Sequence, residues 1–242
     1  RIFKVNNDED ISVDKILKKK KELHYKINNG IENECTKCPH LTYEEWPNFQ
    51  KLKLDQISFE SHSVCNMKCS YCSEIYYDGK KANYSLTTTF NKLMDEDCVS
   101  KEVSLSWGGG EPLLDKEFDS ILKKYTENLK PISNEIYTNA TKYSYQIEKY
   151  LKEGKAAITT SIDAGTIETF KKIRGVKVLE KVLSNLKKYY NAASKGIIIK
   201  YVLTKDNYDI KELDAFVKKI VEYGLQNCDF QISSDFKDEN IS

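Results

Sequence analysis

Three cysteines, Cys65, Cys69 and Cys72, occupy a span of eight residues, with the polar side chains Asn66, Lys68 and Ser70 between them. Cysteines that only fill a core are bracketed by apolar neighbours, so this spacing reads as a set of metal ligands. Tetrahedral zinc closes a structural site with four protein donors, and His62 just upstream could be the fourth. A [4Fe–4S] cube also takes thiolates, and three of them leave one iron without a protein ligand. Such an iron is a place for a substrate. The spacing alone leaves both metals open.

A second pair stands in Cys35-Thr36-Lys37-Cys38-Pro39-His40. Two thiolates make half a site, and His40, Cys98, Cys228 or cysteines further downstream could complete a zinc or a second iron–sulfur centre. The alternative is two unligated thiols on a cap that packs Pro39 and Leu41 against the main fold. Cys98, at a helix end, and Cys228, at a strand start, read as ordinary buried cysteines. Seven cysteines is an odd number in a chain with no export signal near its first residue, which favours thiols over disulfides.

The elements that must position these groups follow one rhythm. Apolar, β-branched runs are expected as strands at Gln56 to Phe59, Glu102 to Trp107, Glu135 to Tyr137, Ala157 to Ile162, Ile197 to Leu203 and Asp229 to Ile232. Lysine-rich amphipathic runs between them, near Thr87 to Asp97, Lys116 to Leu129, Tyr143 to Lys152, Val178 to Ala192 and Ile210 to Tyr223, carry apolar residues at helical spacing. Alternating strands and helices give an α/β fold with a parallel sheet, closed or part-closed, whose chemistry belongs in the loops after the strands. Residues 1–53 fall outside this rhythm, with a charged helix over Val13 to Ile27 whose lysines form a solvated face. The organisation expected is an N-terminal extension over 1–53, a barrel over 54–234 and a polar tail over 235–242.

Those loops carry further chemistry. After the second strand comes Trp107-Gly108-Gly109-Gly110-Glu111-Pro112, where glycines allow close backbone approach and a carboxylate can pair with an ammonium. The third strand ends in Thr138-Asn139-Ala140, and the fourth leads through Ser161 and Asp163 to Arg174 and Gly175. Capping of the following helix is the plain alternative for Ser161 and Asp163.

Cys65, Cys69 and Cys72 in a Cys-x3-Cys-x2-Cys pattern, with the aromatic Tyr71 before the last, resemble the radical S-adenosylmethionine (SAM) superfamily. Together with Ser161, Asp163 and Arg174 they look like its twitch/SPASM-like branch. The resemblance covers roughly Leu54 to Ser233. It implies a partial (βα)6 barrel and a [4Fe–4S] cluster on Cys65, Cys69 and Cys72. It further implies a SAM pocket built from Tyr71, Gly108, Gly109, Gly110, Glu111, Asn139, Ser161, Asp163 and Arg174. In that branch Glu111 would meet the methionine amino group, Ser161 the ribose and Arg174 the carboxylate, while Ala140 stands where the family usually has Gly. The implied activity is that of an oxidoreductase-type enzyme that cleaves SAM reductively to a 5′-deoxyadenosyl radical and removes hydrogen from a substrate carbon. An electron donor such as flavodoxin or ferredoxin would serve it. The branch includes enzymes acting on peptides, and peptide modification is the expected use, with a small carbohydrate-type substrate as the alternative. A non-catalytic zinc or iron–sulfur module is the alternative of another class. Branch members carry auxiliary cluster ligands after the barrel, so either a further domain follows Ser242 or Cys35 and Cys38 stand in its place.

Composition narrows the partners. The 242 residues hold 38 basic and 37 acidic side chains, a net charge of +1, so electrostatics does not drive binding to nucleic acid or membrane. No apolar run nears the roughly 20 residues that span a bilayer, and no signal-like segment opens the chain, which points to a cytoplasmic enzyme.

Overall fold

A computed structural model describes residues 12–38, 42, 51–72, 79–80 and 85–235. His40, Pro39, Leu41 and the tail beyond 235 lie outside the described residues. The chain divides into two compact units, one of Arg1–Asp55 with Ala82–Val103, the other of Gln56–Lys81 with Ser104–Ser242.

In the first unit, helix α1 (Val13–Asn28) begins where the Ser12 hydroxyl accepts the Lys15 N–H, and it buries Leu23. Helix α2 (Leu86–Asp95) starts the same way, with Ser85 accepting from Thr88 N, and buries Phe90. These side-chain oxygens satisfy amides that a first helical turn leaves without carbonyl partners. Cys98 is buried, with its thiol donating to the Leu93 carbonyl, as an ordinary core cysteine does. Cys35 and Cys38 occupy a turn closed by Cys38 N to Cys35 O at 3.0 Å and stiffened by Asn33, whose Oδ1 accepts Cys35 N at 2.9 Å.

The sheet runs in the order β1-β2-β3-β4-β5-β6. Its strands are β1 (Leu54–Phe59), β2 (Val99–Trp107), β3 (Ser133–Tyr137), β4 (Ala157–Ser161), β5 (Ile197–Leu203) and β6 (Asp229–Ser234). Pairings from β2 to β6 are parallel, and β1 and β6 stand at opposite ends of the order, so the sheet is not closed. This is the part-closed α/β architecture expected from the sequence. Crossovers are made by α3 (Phe118–Leu129), α4 (Tyr145–Lys152), the pair α5 (Ile167–Arg174) and α6 (Leu179–Ala192), and α7 (Ile210–Glu222).

One face of the sheet is packed dry. Leu105, Ile136, Ile158 and Ile199, on four successive strands, are all at most 1% exposed. Phe59, Trp107 and Tyr125 stack beside them, with ring centroids 4.2 Å apart for the first pair and 5.3 Å for Phe59 with Tyr125. The Trp107 indole N–H finds Asn134 Oδ1 at 2.7 Å, which removes the cost of burying it. Alternation along each strand sends the intervening residues to the other face, the inside of the partial barrel.

The sequence reading of the strands matches to within a few residues at each end, and α5 is an element it did not set out separately. Cys228 is half-buried rather than a core residue.

Candidate functional site

Backbone hydrogen bonds fasten both sides of the cluster loop after β1. Gly110 N donates to His62 O at 2.8 Å and Glu111 N to Val64 O at 2.9 Å, zipping the loop after β2 against it. A Cβ on Gly110 would lie 2.1 Å from Val64 O, and one on Gly109, whose φ is +96°, 2.6 Å from His62 O. Two of the three glycines are therefore required by this loop-to-loop contact. Gly108 differs: a Cβ there meets nothing closer than Tyr137 Cβ at 3.8 Å.

On its other side the loop is tied to the C-terminus of α5. Lys68 N reaches Arg174 O at 3.0 Å and Ser70 N reaches Ile173 O at 2.8 Å, satisfying carbonyls that a helix end leaves open. Gly175 closes the helix in the left-handed region, with φ +80°. At the N-terminus of α5, Thr166 is the cap, so neither Ser161 nor Asp163 has the capping role weighed for it. Glu212 on α7 completes that cap, accepting Gly165 N at 2.7 Å and Thr166 N at 2.9 Å.

These contacts surround a cavity of about 1300 Å³. Cys65, Cys69, Cys72, Tyr71, Gly108, Gly109, Gly110, Glu111, Asn139, Ser161 and Arg174 all line it. Asp163 does not. It is wholly buried behind Arg174, whose Nη1 donates to Asp163 Oδ2 at 3.1 Å. Tyr71 O–H donates to the same oxygen at 2.7 Å and also accepts from Arg174 Nη1, while Val202 N donates to Asp163 Oδ1 at 2.7 Å. Asp163, at φ +61°, is held in that left-handed turn partly by Asn207 Nδ2, which donates to its carbonyl at 2.9 Å. The aromatic residue of the cluster loop, the arginine of α5 and the aspartate after β4 are thus one buried network. Burial pushes the Tyr71 hydroxyl's pKa up, so it stays a donor.

Glu111 is equally committed. Its Oε1 accepts Thr138 Oγ1 at 2.7 Å and Leu113 N at 3.1 Å, and its Oε2 accepts Asn139 N at 2.6 Å. Burial raises its pKa, while those donors favour the carboxylate. A carboxylate has about four lone-pair sites, so one remains for a ligand. Asn139 Nδ2 donates to Asn66 Oδ1 at 2.7 Å and lies 3.7 Å from Cys65 Sγ, and its Oδ1 accepts from Thr141 Oγ1 at 2.7 Å. Ala140 sits at φ +53°, the left-handed conformation that explains the usual Gly at this place.

The donor set fits an iron–sulfur cluster with SAM. Three thiols face one cavity, and burial lifts the Cys69 thiol to about 11, a charge cost that a bound cation offsets. Arg174 Nε is buried with no hydrogen-bond partner. An unmet buried donor costs about 1–3 kcal/mol, and a ligand carboxylate would remove that cost. The zinc alternative fits less well. His62, the candidate fourth ligand, is buried outside the lining of the cavity that the three thiols face.

Sequence reasoning missed Glu212, Asn207, Asn66 and Thr141. Each acts through contacts distant in sequence, and no local pattern marks them.

Fold and cavity define a part-closed βα barrel enzyme with a three-thiol loop. Comparison with known proteins is specific: the Radical SAM superfamily pattern matches residues 59–217. The chain belongs to that superfamily, whose members are enzymes using a [4Fe–4S] cluster and SAM. It is 27% identical over 173 residues to a GTP 3′,8-cyclase of Vibrio parahaemolyticus, a match covering 67% of this chain and 49% of the relative. A probable GTP 3′,8-cyclase of Sulfurisphaera tokodaii is 26% identical over 170 residues, 67% of this chain and 50% of its own length. The chain thus spans about half the length of the curated relatives it matches. Streptococcus suis SuiB bound to its precursor peptide SuiA shares the fold with a TM-score of 0.60 at 15% identity, covering 92% of this chain and 54% of that one. A structure described as anSMEcpe with bound AdoMet has a TM-score of 0.59 at 22% identity, covering 76% and 50%. Among the described residues no helix is long and apolar enough to cross a membrane.

Proposed function

We propose that this chain is the catalytic barrel of a radical SAM enzyme in which Cys65, Cys69 and Cys72 carry the cluster and the adjoining cavity wall holds SAM. One observation carries the reading: the thiols, Gly108, Glu111, Ser161 and Arg174 line the same cavity. A structural metal module would need none of the last four. When bound, the cluster and SAM supply reductive cleavage and hydrogen-atom abstraction from carbon. The protein's part is to bind, orient and shield. Arg174, fixed by Asp163 and Tyr71, offers its free Nε to a carboxylate; Glu111 offers its remaining lone pair to an ammonium; Ser161 offers a hydroxyl to the ribose. The buried wall around Glu111 and Asp163 limits the water that reaches the reacting atoms.

For the substrate, peptide modification is the proposed use, supported by the shared fold with peptide-bound SuiB. The relatives named GTP 3′,8-cyclase favour a second reading, a small nucleotide- or sugar-type substrate. Electrons would come from a flavodoxin or ferredoxin, and Cys35 with Cys38 would join a second centre only with donors from elsewhere. The test is anaerobic iron–sulfur reconstitution followed by dithionite and SAM, with 5′-deoxyadenosine read by chromatography. Turnover that vanishes on Cys69→Ala is expected. A cluster-loaded protein that binds SAM and forms no 5′-deoxyadenosine would overturn the reading.

A further inference from the structure

The cavity, at about 1300 Å³, exceeds the roughly 300–1,000 Å³ that encloses one drug-sized ligand, so a second molecule has room beside SAM. On the β5 side the cavity wall carries a cation. Lys200 lies on β5 between Ile199 and Tyr201, both buried, and alternation turns it to the opposite face, where it lines the cavity. Its register partners are Ser161 on β4 and Gln231 on β6. Partners in register share a face, and Phe230, next to Gln231, packs on Phe216 of α7 on the far side. Of that row Ser161 and Lys200 line the cavity, a hydroxyl and an ammonium that can both donate hydrogen bonds, while Gln231 is exposed on the last strand.

Nothing among the described residues neutralises that row: no ion pair to Lys200 is present. The cavity's carboxylates lie beyond other strands. Of the two that line it, Glu60 follows β1 and Glu111 is engaged by three donors; Glu135 on β3, outside the lining, accepts Thr159 Oγ1 at 2.8 Å. A half-buried ammonium beside a hydroxyl donor on a cavity wall raises the local concentration of anions and orients them.

We propose that Lys200, beside Ser161 on the cavity wall, is a substrate subsite that takes an anionic group, a phosphate or a carboxylate. The proposal rests on the reading that SAM fills the neighbouring part of the cavity. Ser161 ends the row at the cofactor side, so the anion would dock the substrate next to the reacting carbon.

Reconstituted protein saturated with SAM is titrated calorimetrically with pyrophosphate and, separately, with glutarate. At least one anion should bind, about tenfold more weakly in Lys200→Met and nearly as in wild type in Lys200→Arg, with SAM affinity unchanged. The anion that binds identifies phosphate or carboxylate chemistry. Equal anion binding by wild type and Lys200→Met would overturn the proposal, as would no binding of either anion to protein that takes up SAM normally. Loss of SAM affinity in Lys200→Met to the same degree would assign the lysine to the cofactor, and overturns it too. A cluster-loaded wild type that does not bind SAM would instead remove the reading of the cavity, and this subsite with it.

Discussion

Exchanging Asp163 for Asn keeps the shape of a buried side chain and removes its charge, at the point where three donors converge. Val202 N and Tyr71 O–H lie 2.7 Å from the carboxylate and Arg174 Nη1 3.1 Å. Asn has one acceptor oxygen. If that oxygen stays with Val202, its NH2 group faces two further donors and the Arg174 charge loses its partner, with the arginine side chain only 7% exposed. Removing one member of a buried ion pair costs about 3–5 kcal/mol. In a chain of this size that lowers Tm by roughly 6–20 °C. Tyr71→Phe removes the hydroxyl's bond to the carboxylate and the acceptor it gives Arg174 Nη1 but keeps the ion pair, and should cost less, about 1.5–3 kcal/mol. Because the two side chains are partners in one hydrogen bond, the double variant should lose less than the sum of the singles. Thermal unfolding by circular dichroism of the three variants and wild type, without cofactors, measures this directly. An Asp163→Asn melting point within about 2 °C of wild type would refute the argument that Asp163 holds the arginine.

Further outcomes follow from the same geometry. Replacing Cys65, Cys69 and Cys72 by Ala should abolish uptake of about four irons per chain, checked by iron assay and the visible spectrum. Arg174→Ala should weaken SAM binding about tenfold or more with iron content retained, measured by equilibrium dialysis. Glu111→Ala should do more than weaken SAM, because it strands the buried Asn139 and Leu113 amides at a cost of about 1–3 kcal/mol each, read as a lower melting point. Gly110→Ala should prevent the loop after β2 from seating and lower both stability and iron loading, whereas Gly108→Ala should melt normally and bind SAM less well.

The strands and most helices were legible because alternation and helical spacing are written locally, and β5 was read to the residue. Much of the cavity was legible because many of its lining residues, among them Cys65, Cys69, Cys72, Gly108 to Glu111 and Asn139, sit in the loops after strands. What the sequence concealed is how those residues are held. The glycines invite a reading as room for a ligand, yet Gly109 and Gly110 are there for the backbone of the cluster loop. Asp163 reads as a pocket residue and is instead the support behind one. Glu212, on α7, caps α5 across more than forty residues, and Asn207 braces the turn at Asp163 from the loop after β5. Contacts of that kind depend on which elements the fold brings together, and no spacing within a segment encodes them.

The two backbone bonds from the cluster loop to the end of α5 have a thermodynamic consequence. Lys68 N and Ser70 N fasten the segment bearing the thiols to the helix bearing Arg174, so the ordering of one is shared with the other. Where two ligands draw on the same ordering, linkage makes the effect reciprocal. Whatever factor the loaded cluster adds to SAM affinity by fixing that loop, bound SAM returns as the same factor in retention of the cluster. Protein kept with SAM should accordingly lose iron to a chelator more slowly than protein kept without it.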